Sequence, residues 1–186
     1  YRSYKGPVGT VAKNILQREF KVSAPHKKWV TDVTEFNVAG EKLYLSPILD
    51  LYNSEIIAYS MSTRPHFDMI KSMLNKAFAR LKEGESPLLH SDQGWQYQMG
   101  HYQKMLSDKQ IIQSMSRKGN CLDNAVMENF FGLLKSECYY LQKFTSINEL
   151  MTAIDDYIYY YNHQRIKLKL KGLSPVQYRI QSSLTA

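Results

Sequence analysis

Cysteine is nearly absent from this sequence. Cys121 and Cys138 are the only two in 186 residues, too few for a disulfide framework. Neither sits in a Cys-x-x-Cys pair or at zinc spacing from the five histidines (His26, His66, His90, His101, His163), so a zinc site is not expected. Long apolar runs are lacking too, and nothing approaches the ~20 residues a membrane-spanning helix needs, so no membrane partner is expected. No signal-peptide pattern and no initiator Met precede Tyr1, and the expectation is a piece of a longer cytoplasmic chain. Internal repeats and low-complexity tracts are missing. Against these absences stand 44% hydrophobic and 22% charged residues, the balance of a globular chain long enough to bury a core.

Positive charge is abundant and unevenly placed. The net charge is +7. Residues 1–28 carry seven Lys/Arg against Glu19 alone, and residues 157–186 carry Arg165, Lys167, Lys169, Lys171 and Arg179 with no acid. Residues 29–156 hold 12 bases and 16 acids, a net −4. An acidic body thus lies between two basic arms. Basic arms suit a polyanionic partner, and bound cations would let the acidic body approach it. The competing reading is ordinary variation of surface charge.

The body alternates strand and helix patterns. Residues 28–36 (KWVTDVTEF) are β-branched and alternating, which predicts a strand; Asn37–Gly40 predicts a hairpin turn, and 43–51 and 55–62 predict two more strands in an antiparallel meander. Phe67, Ile70, Leu74, Phe78 and Leu81 fall at helical spacing, with Gly84 suited to the C-terminal end. Residues 87–91 and 111–114 predict two further strands separated by a helix over 102–109, and such alternation implies parallel pairing within a mixed five-stranded sheet. After a loop at 116–122, Asp123 or Asn124 offers an N-cap for a helix reaching about Tyr140. Ser146-x-x-Glu149 is a capping box for a helix burying Leu150, Ile154, Tyr157, Ile158 and Tyr161. Beyond Asn162 the chain reads as basic and extended, until Pro175 opens a last short helix.

Three acids stand out by position. Asp32 lies inside a predicted strand among Val30, Val33 and Phe36, where an acid is disfavoured without a task. Asp92 closes the fourth strand, at the end of an α/β sheet where ligands bind. Glu128 lies on the helix after the loop, on one face with Asn124 and Lys135. Three carboxylates from distant segments suit a pair of hard cations, which would offset their mutual repulsion and support in-line displacement at phosphorus. Taken singly, each has a plainer reading: an edge-strand charge, an Asx-turn, a solvated acid.

The strings WVTDVTEF (29–36), HSDQGWQY (90–97) and GNCLDNAVMENFFGLLKSE (119–137) together resemble the three motifs of the integrase-type DDE recombinases. The resemblance is closest to transposases of bacterial insertion sequences, in their catalytic OrfB subunit. Thirty-five residues separate Asp92 from Glu128, and Lys135 follows the Glu by seven, both part of that signature. YNHQRIKLKLKGLSPVQY (161–178) is similar to the family's C-terminal segment, although Ile166 and Lys167 stand where many members have Arg-His; KGPVGTVAKNILQREF (5–20) resembles the segment before the core.

The resemblance implies a ribonuclease H-like α/β fold with basic N- and C-terminal extensions. Its divisions are 1–27 as a linker from an upstream DNA-binding region, 28–162 as the catalytic core and 163–186 as the extension. It implies Asp32, Asp92 and Glu128 as catalytic ligands of two Mg²⁺ or Mn²⁺ ions, and a reaction of 3′-end cleavage and strand transfer on DNA. The partners would be transposon ends, target DNA and further copies of the chain in a synaptic complex, at the bacterial nucleoid. Lys135 and the run Arg165, Lys167, Lys169 and Lys171 are candidate phosphate contacts, the run alternatively an edge strand. Asn124 can hold Glu128, hold a base or cap the helix, and Trp95 can stack on a splayed base or pack. His90 reads as a satisfied core histidine, and Glu137 as a solvated acid on the face opposite Glu128. Two other functions compete: a ribonuclease H-like structure-specific nuclease, and an inactive DNA-binding relic.

Overall fold

The computed structural model describes residues 9–184, apart from the side chain of Cys121. Residues 1–8 and 185–186 of the two expected extensions lie outside that range. Strands β1 (Lys28–Thr31), β2 (Thr34–Val38), β3 (Glu41–Asp50) and β4 (Ile56–Ser62) form the antiparallel part of a mixed sheet. Strands β5 (Leu88–Ser91) and β6 (Ile112–Met115) extend it in parallel from β1. The β2–β3 turn is Ala39-Gly40, with φ of 51° and 84°. Two successive positive φ values match the right-handed twist of a two-residue hairpin, and glycine takes the second freely.

The single strand expected over 28–36 is split at Asp32–Val33, so the sheet has six strands rather than five. The register with β3 does not slip across the gap: Thr31 faces Ile48 before it and Thr34 faces Leu45 after it. Continuing that register sets Asp32 opposite Pro47, which has no N–H to give the ladder. The Pro47 carbonyl accepts instead from Thr31 Oγ1 at 2.8 Å, and the Val33 N–H turns to the carboxylate of Asp32 at 2.7 Å. A proline on one strand thus opens the ladder where the acid sits on the next.

Alternation within the strands divides the core in two. Val30, Leu43, Leu45 and Leu49 pack with Phe130, Phe131 and Leu134 of α4 (Ala125–Leu134) and with α5 (Ile147–His163). Trp29, Ile48 and Leu89 pack on the other face with α1 (Phe67–Phe78) and α3 (Gly100–Asp108). A short α2 (Trp95–Gln98) precedes α3, and α6 (Pro175–Leu184) closes the chain. All five apolar positions expected of α5 are buried, and Ser146 Oγ accepts from Glu149 N at 3.2 Å as a capping box requires. The helix expected to reach Tyr140 keeps α geometry only to Leu134. Lys135–Tyr139 form a π turn, closed by Tyr140 N donating to Lys135 O at 2.8 Å.

The first and last described segments are fastened to the body. Leu16 is 1% exposed in the core, and the amides of Ile15 and Leu16 donate to Ser114 Oγ at 2.9 and 3.1 Å. At the other end, Arg179 Nε donates to buried Glu55 at 2.7 Å, and Asn53 Nδ2 to the Pro175 carbonyl at 2.8 Å. No described helix is long and apolar enough to cross a membrane.

Candidate active site

Strands β1 and β5 run parallel, with Val30 facing His90. Asp32 and Asp92 each follow directly on the last residue of these strands, Thr31 and Ser91, at the carboxyl ends of neighbours about 4.8 Å apart. The Asp92 carboxylate accepts from Gly94 N at 2.8 Å. A Cβ on Gly94 would stand 2.9 Å from Asp92 Oδ1 and 2.7 Å from Gln96 Nε2, so the turn that holds the acid admits glycine alone without displacement. Glu128 lies in the first turn of α4 and is exposed, while both aspartates are half-buried.

The three acids share one field. Burial first, then the charge of Asp92, and less strongly that of Glu128, push the Asp32 carboxyl up to about 7, against bonds from Val33 N–H and the Asn124 amide. Burial raises Asp92 as well, against the Gly94 bond. Among the described residues no Lys or Arg forms a salt bridge with any of the three. The region is short of positive charge, which is what a cation would bring. No group of three described acids, histidines or cysteines is yet close enough to hold an ion.

Asn124 is 4% exposed and makes no cap bond to α4. Its Nδ2 donates to the Thr31 carbonyl at 3.2 Å, next to Asp32, and its Oδ1 is buried without a partner. It therefore ties the start of α4 to the end of β1. His90 is fully buried between Ser114 Oγ (2.8 Å) and Ser116 Oγ (3.1 Å), and burial lowers its pKa to about 4, so it is a neutral packing histidine. Trp95 opens α2, half-buried, three residues past Asp92. Lys135 is half-buried with Nζ 5.6 Å from the Phe36 ring centre.

The extended basic arm expected beyond Asn162 is not extended. α5 runs on to His163, and residues 168–170 form a 3₁₀ turn closed by a Lys167–Leu173 bridge. Arg165 forms a two-bond ion pair with Glu137 at 2.7 and 2.6 Å, so Glu137 is not the solvated acid its surroundings in sequence suggest. Lys167 Nζ reaches Tyr161 Oη at 2.6 Å and sits 4.3 Å from its ring centre; burial, with the charges of Arg165 and Lys169, lowers its pKa to about 8. Lys169 and Lys171 are the two exposed bases of the run. Sequence reading gave Asp123 no task but capping. It is fully buried, and Arg117 first, with Arg18 adding to it, holds its carboxyl far below the usual range.

This sheet, with acids at the ends of adjacent parallel strands, is the fold of the integrase catalytic cores. The HTLV-2 integrase catalytic core domain, solved in complex with magnesium in a trimeric form, matches at TM-score 0.64 and 18% identity over 84% of this chain and 97% of its own. A chain of the simian T-cell lymphotropic virus intasome, in complex with PP2A regulatory subunit B56 gamma, matches at 0.61 and 18%, over 90% of this chain and 56% of its own. Residues 22–121 and 128–183 each match a model described as an integrase core domain, and the chain belongs to that family. InsK of insertion sequence element IS150 from Escherichia coli (strain K12) is 61% identical over 98% of this chain. A transposase-like protein of Haemophilus influenzae is 59% identical over 98%, and transposase InsF for insertion sequence IS3A of E. coli 35% identical over 95%. The chain spans 64% of InsK, 84% of the Haemophilus protein and 62% of InsF.

Proposed function

We propose that this chain is the catalytic core of a DDE-type insertion-sequence transposase, cleaving DNA at the element's 3′ ends and joining those ends to target DNA. The observation that carries it is the pair of half-buried aspartates at the ends of adjacent parallel strands, with raised proton affinity and no salt bridge among the described residues, with Glu128 in the same field. Asp32, Asp92 and Glu128 are the residues to hold Mg²⁺ or Mn²⁺, and all-oxygen donors suit such hard ions. Two such ions supply charge neutralisation and Lewis acidity toward the attacking and leaving oxygens of an in-line displacement at phosphorus.

The chain's own groups set the geometry. Gly94 N–H and Val33 N–H orient the two aspartates, and Asn124 holds the head of α4 against β1, so that Glu128 approaches from the open side. Water attacks the phosphorus at the element's end and releases a 3′-hydroxyl. That hydroxyl then attacks a target phosphodiester, the new P–O bond replacing the one broken, so no Ser or Tyr nucleophile is needed. Positioning and electrostatic stabilisation account for the rate. Lys135, Trp95, Lys169 and Lys171 are the candidate contacts to DNA, and further copies of the chain would pair the two ends.

Strand transfer with pre-cut 3′ ends tests the reading. Joined products in Mn²⁺, lost in Asp32→Asn and Asp92→Asn, support it. Nicks without joined products would favour a nuclease, and neither product would favour a DNA-binding relic.

A further inference from the structure

Asp123 is the most heavily satisfied acid on the catalytic side of the sheet. Its carboxylate accepts from Arg117 N (3.0 Å), Nε (3.0 Å) and NH2 (2.9 Å), from Arg18 Nε (2.8 Å) and from Asn14 Nδ2 (2.9 Å). Arg18 NH2 also donates to Asn120 Oδ1 at 2.7 Å. Two of the residues bonded to Asp123 come from over a hundred positions away, on the N-terminal segment that runs along β6. Asp123 lies in the 3₁₀ turn Cys121–Asn124, which leads directly into α4. The next residue, Asn124, donates to the Thr31 carbonyl beside Asp32, and Glu128 is one turn further on. The same segment reaches the second aspartate by another route. Ser114 Oγ, which accepts from Ile15 and Leu16, bonds His90; His90 bonds Ser116, whose N–H donates to Ser91 O at 2.8 Å beside Asp92.

A surface ion pair needs none of this. The pair between Glu19 of the same segment and Lys28 at the start of β1 has a 75% exposed acid. Asp123 has 0% exposure and sits where a turn must be fixed before a helix can aim.

We propose that Asp123 is a positioning residue for Glu128, and that Asn14 and Arg18 complete the frame of the active site by holding it. The inference rests on the reading of Asp32, Asp92 and Glu128 as metal ligands. Residues that orient a ligand typically alter metal affinity by about 10–100-fold when removed.

The test measures Mn²⁺ affinity of the whole chain by electron paramagnetic resonance, with amide hydrogen exchange read without metal. Arg18→Ala should weaken Mn²⁺ binding roughly tenfold and speed exchange across residues 121–128, whereas Lys28→Ala should change neither. In a Glu128→Gln background, Arg18→Ala should cost no further affinity, because its effect passes through Glu128. Unchanged exchange across 121–128 overturns the proposal whether or not metal binds. So does an equal loss of affinity with and without Glu128, or an equal effect of Lys28→Ala. If Arg18→Ala does not fold, Asn14→Ala carries the same measurements. A wild-type chain whose Mn²⁺ binding ignores Asp32→Asn and Asp92→Asn would instead overturn the metal-site reading, leaving the exchange result to decide the frame.

Discussion

Among the described residues, one pair of buried acids and one pair of half-buried acids are treated in opposite ways. Asp123 and Glu55 are almost wholly buried, and each is met by two arginines: Arg18 and Arg117 for the first, Arg80 and Arg179 for the second. Asp32 and Asp92 are half-buried, accept from backbone amides, feel each other's charge, and form no salt bridge among the described residues. The paired acids close a structure; their carboxyls stay ionised and fix where segments cross. The unpaired ones hold repulsion in reserve, which only a cation or a proton relieves. Charge kept at half-buried positions without a salt bridge is costly, and at Asp32 and Asp92 it supports the metal site proposed above.

The largest effect that could break this contrast is on activity. Asp92→Asn and Glu128→Gln should each lower nicking and strand transfer by about 10²–10³-fold or more while leaving the fold intact, as measured on labelled DNA ends. Glu137→Gln should keep most activity but lower the melting temperature, because it breaks the two-bond pair with Arg165 and the bond from Tyr157 Oη at 3.0 Å. Full activity in Glu128→Gln would remove the third acid from the site.

Stability gives the next measure, and the two sets should respond with opposite sign. Asp123→Asn removes the charge that several donors converge on, and should cost about 2–3 kcal/mol in denaturant unfolding. Without metal at pH 8, Asp32→Asn should stabilise the chain by about 1–2 kcal/mol, since it deletes an unpaired charge of near-equal volume. Added Mn²⁺ should reverse the order, raising the wild-type melting temperature and leaving the mutant's unchanged.

The pH dependence sharpens the same contrast. Asp32 holds its proton more tightly folded (about 7) than unfolded (3.8), so its contribution is present below pH about 4 and is lost as pH rises toward 7. Asp123 is depressed in the fold, so its contribution is present above the unfolded value of 3.8 and is lost as pH falls further. Metal-free unfolding should therefore show a stability decline between about pH 4 and 7 that Asp32→Asn flattens. An unflattened decline would mean that Asp32 is not the group responsible.

The smallest effect concerns the basic run. Lys169→Ala with Lys171→Ala should make the slope of log K against log salt shallower by about 0.9 for each DNA phosphate no longer neutralised, with little change in stability. Arg165→Ala should leave the slope nearly unchanged and lower stability instead, because its charge is paired with Glu137.

Much of this was legible in order along the chain. The capping box, the five buried positions of α5, the hairpin turn and the mixed sheet are local patterns, and the structure shows each of them. What the sequence hid depends on contacts between distant residues. The break at Asp32 needs Pro47 opposite it, and nothing in WVTDVTEF announces a proline on the next strand. Arg165 has no acid near it in sequence, yet Glu137 lies 28 residues back and meets it through the turn of two helices. The N-terminal segment reads as a linker because it is basic; Leu16, an apolar residue within that run, was the available sign that it packs. Asp123 looked like a cap because caps are made locally, while Asn14 and Arg18 come from the far end of the chain.

The π turn at Lys135–Tyr139 has a consequence for how such a chain can change over time. A π turn holds one residue more than an α-helix needs. Deleting one residue there would tighten the turn to ordinary α geometry, so the loss is absorbed within it while Glu128 stays where it is. The helix is thereby divided into an α stretch that carries Glu128 and a π stretch that carries the bonds to Arg165 and Asn37. Mutation can explore the second, including by insertion and deletion, without re-aiming the first.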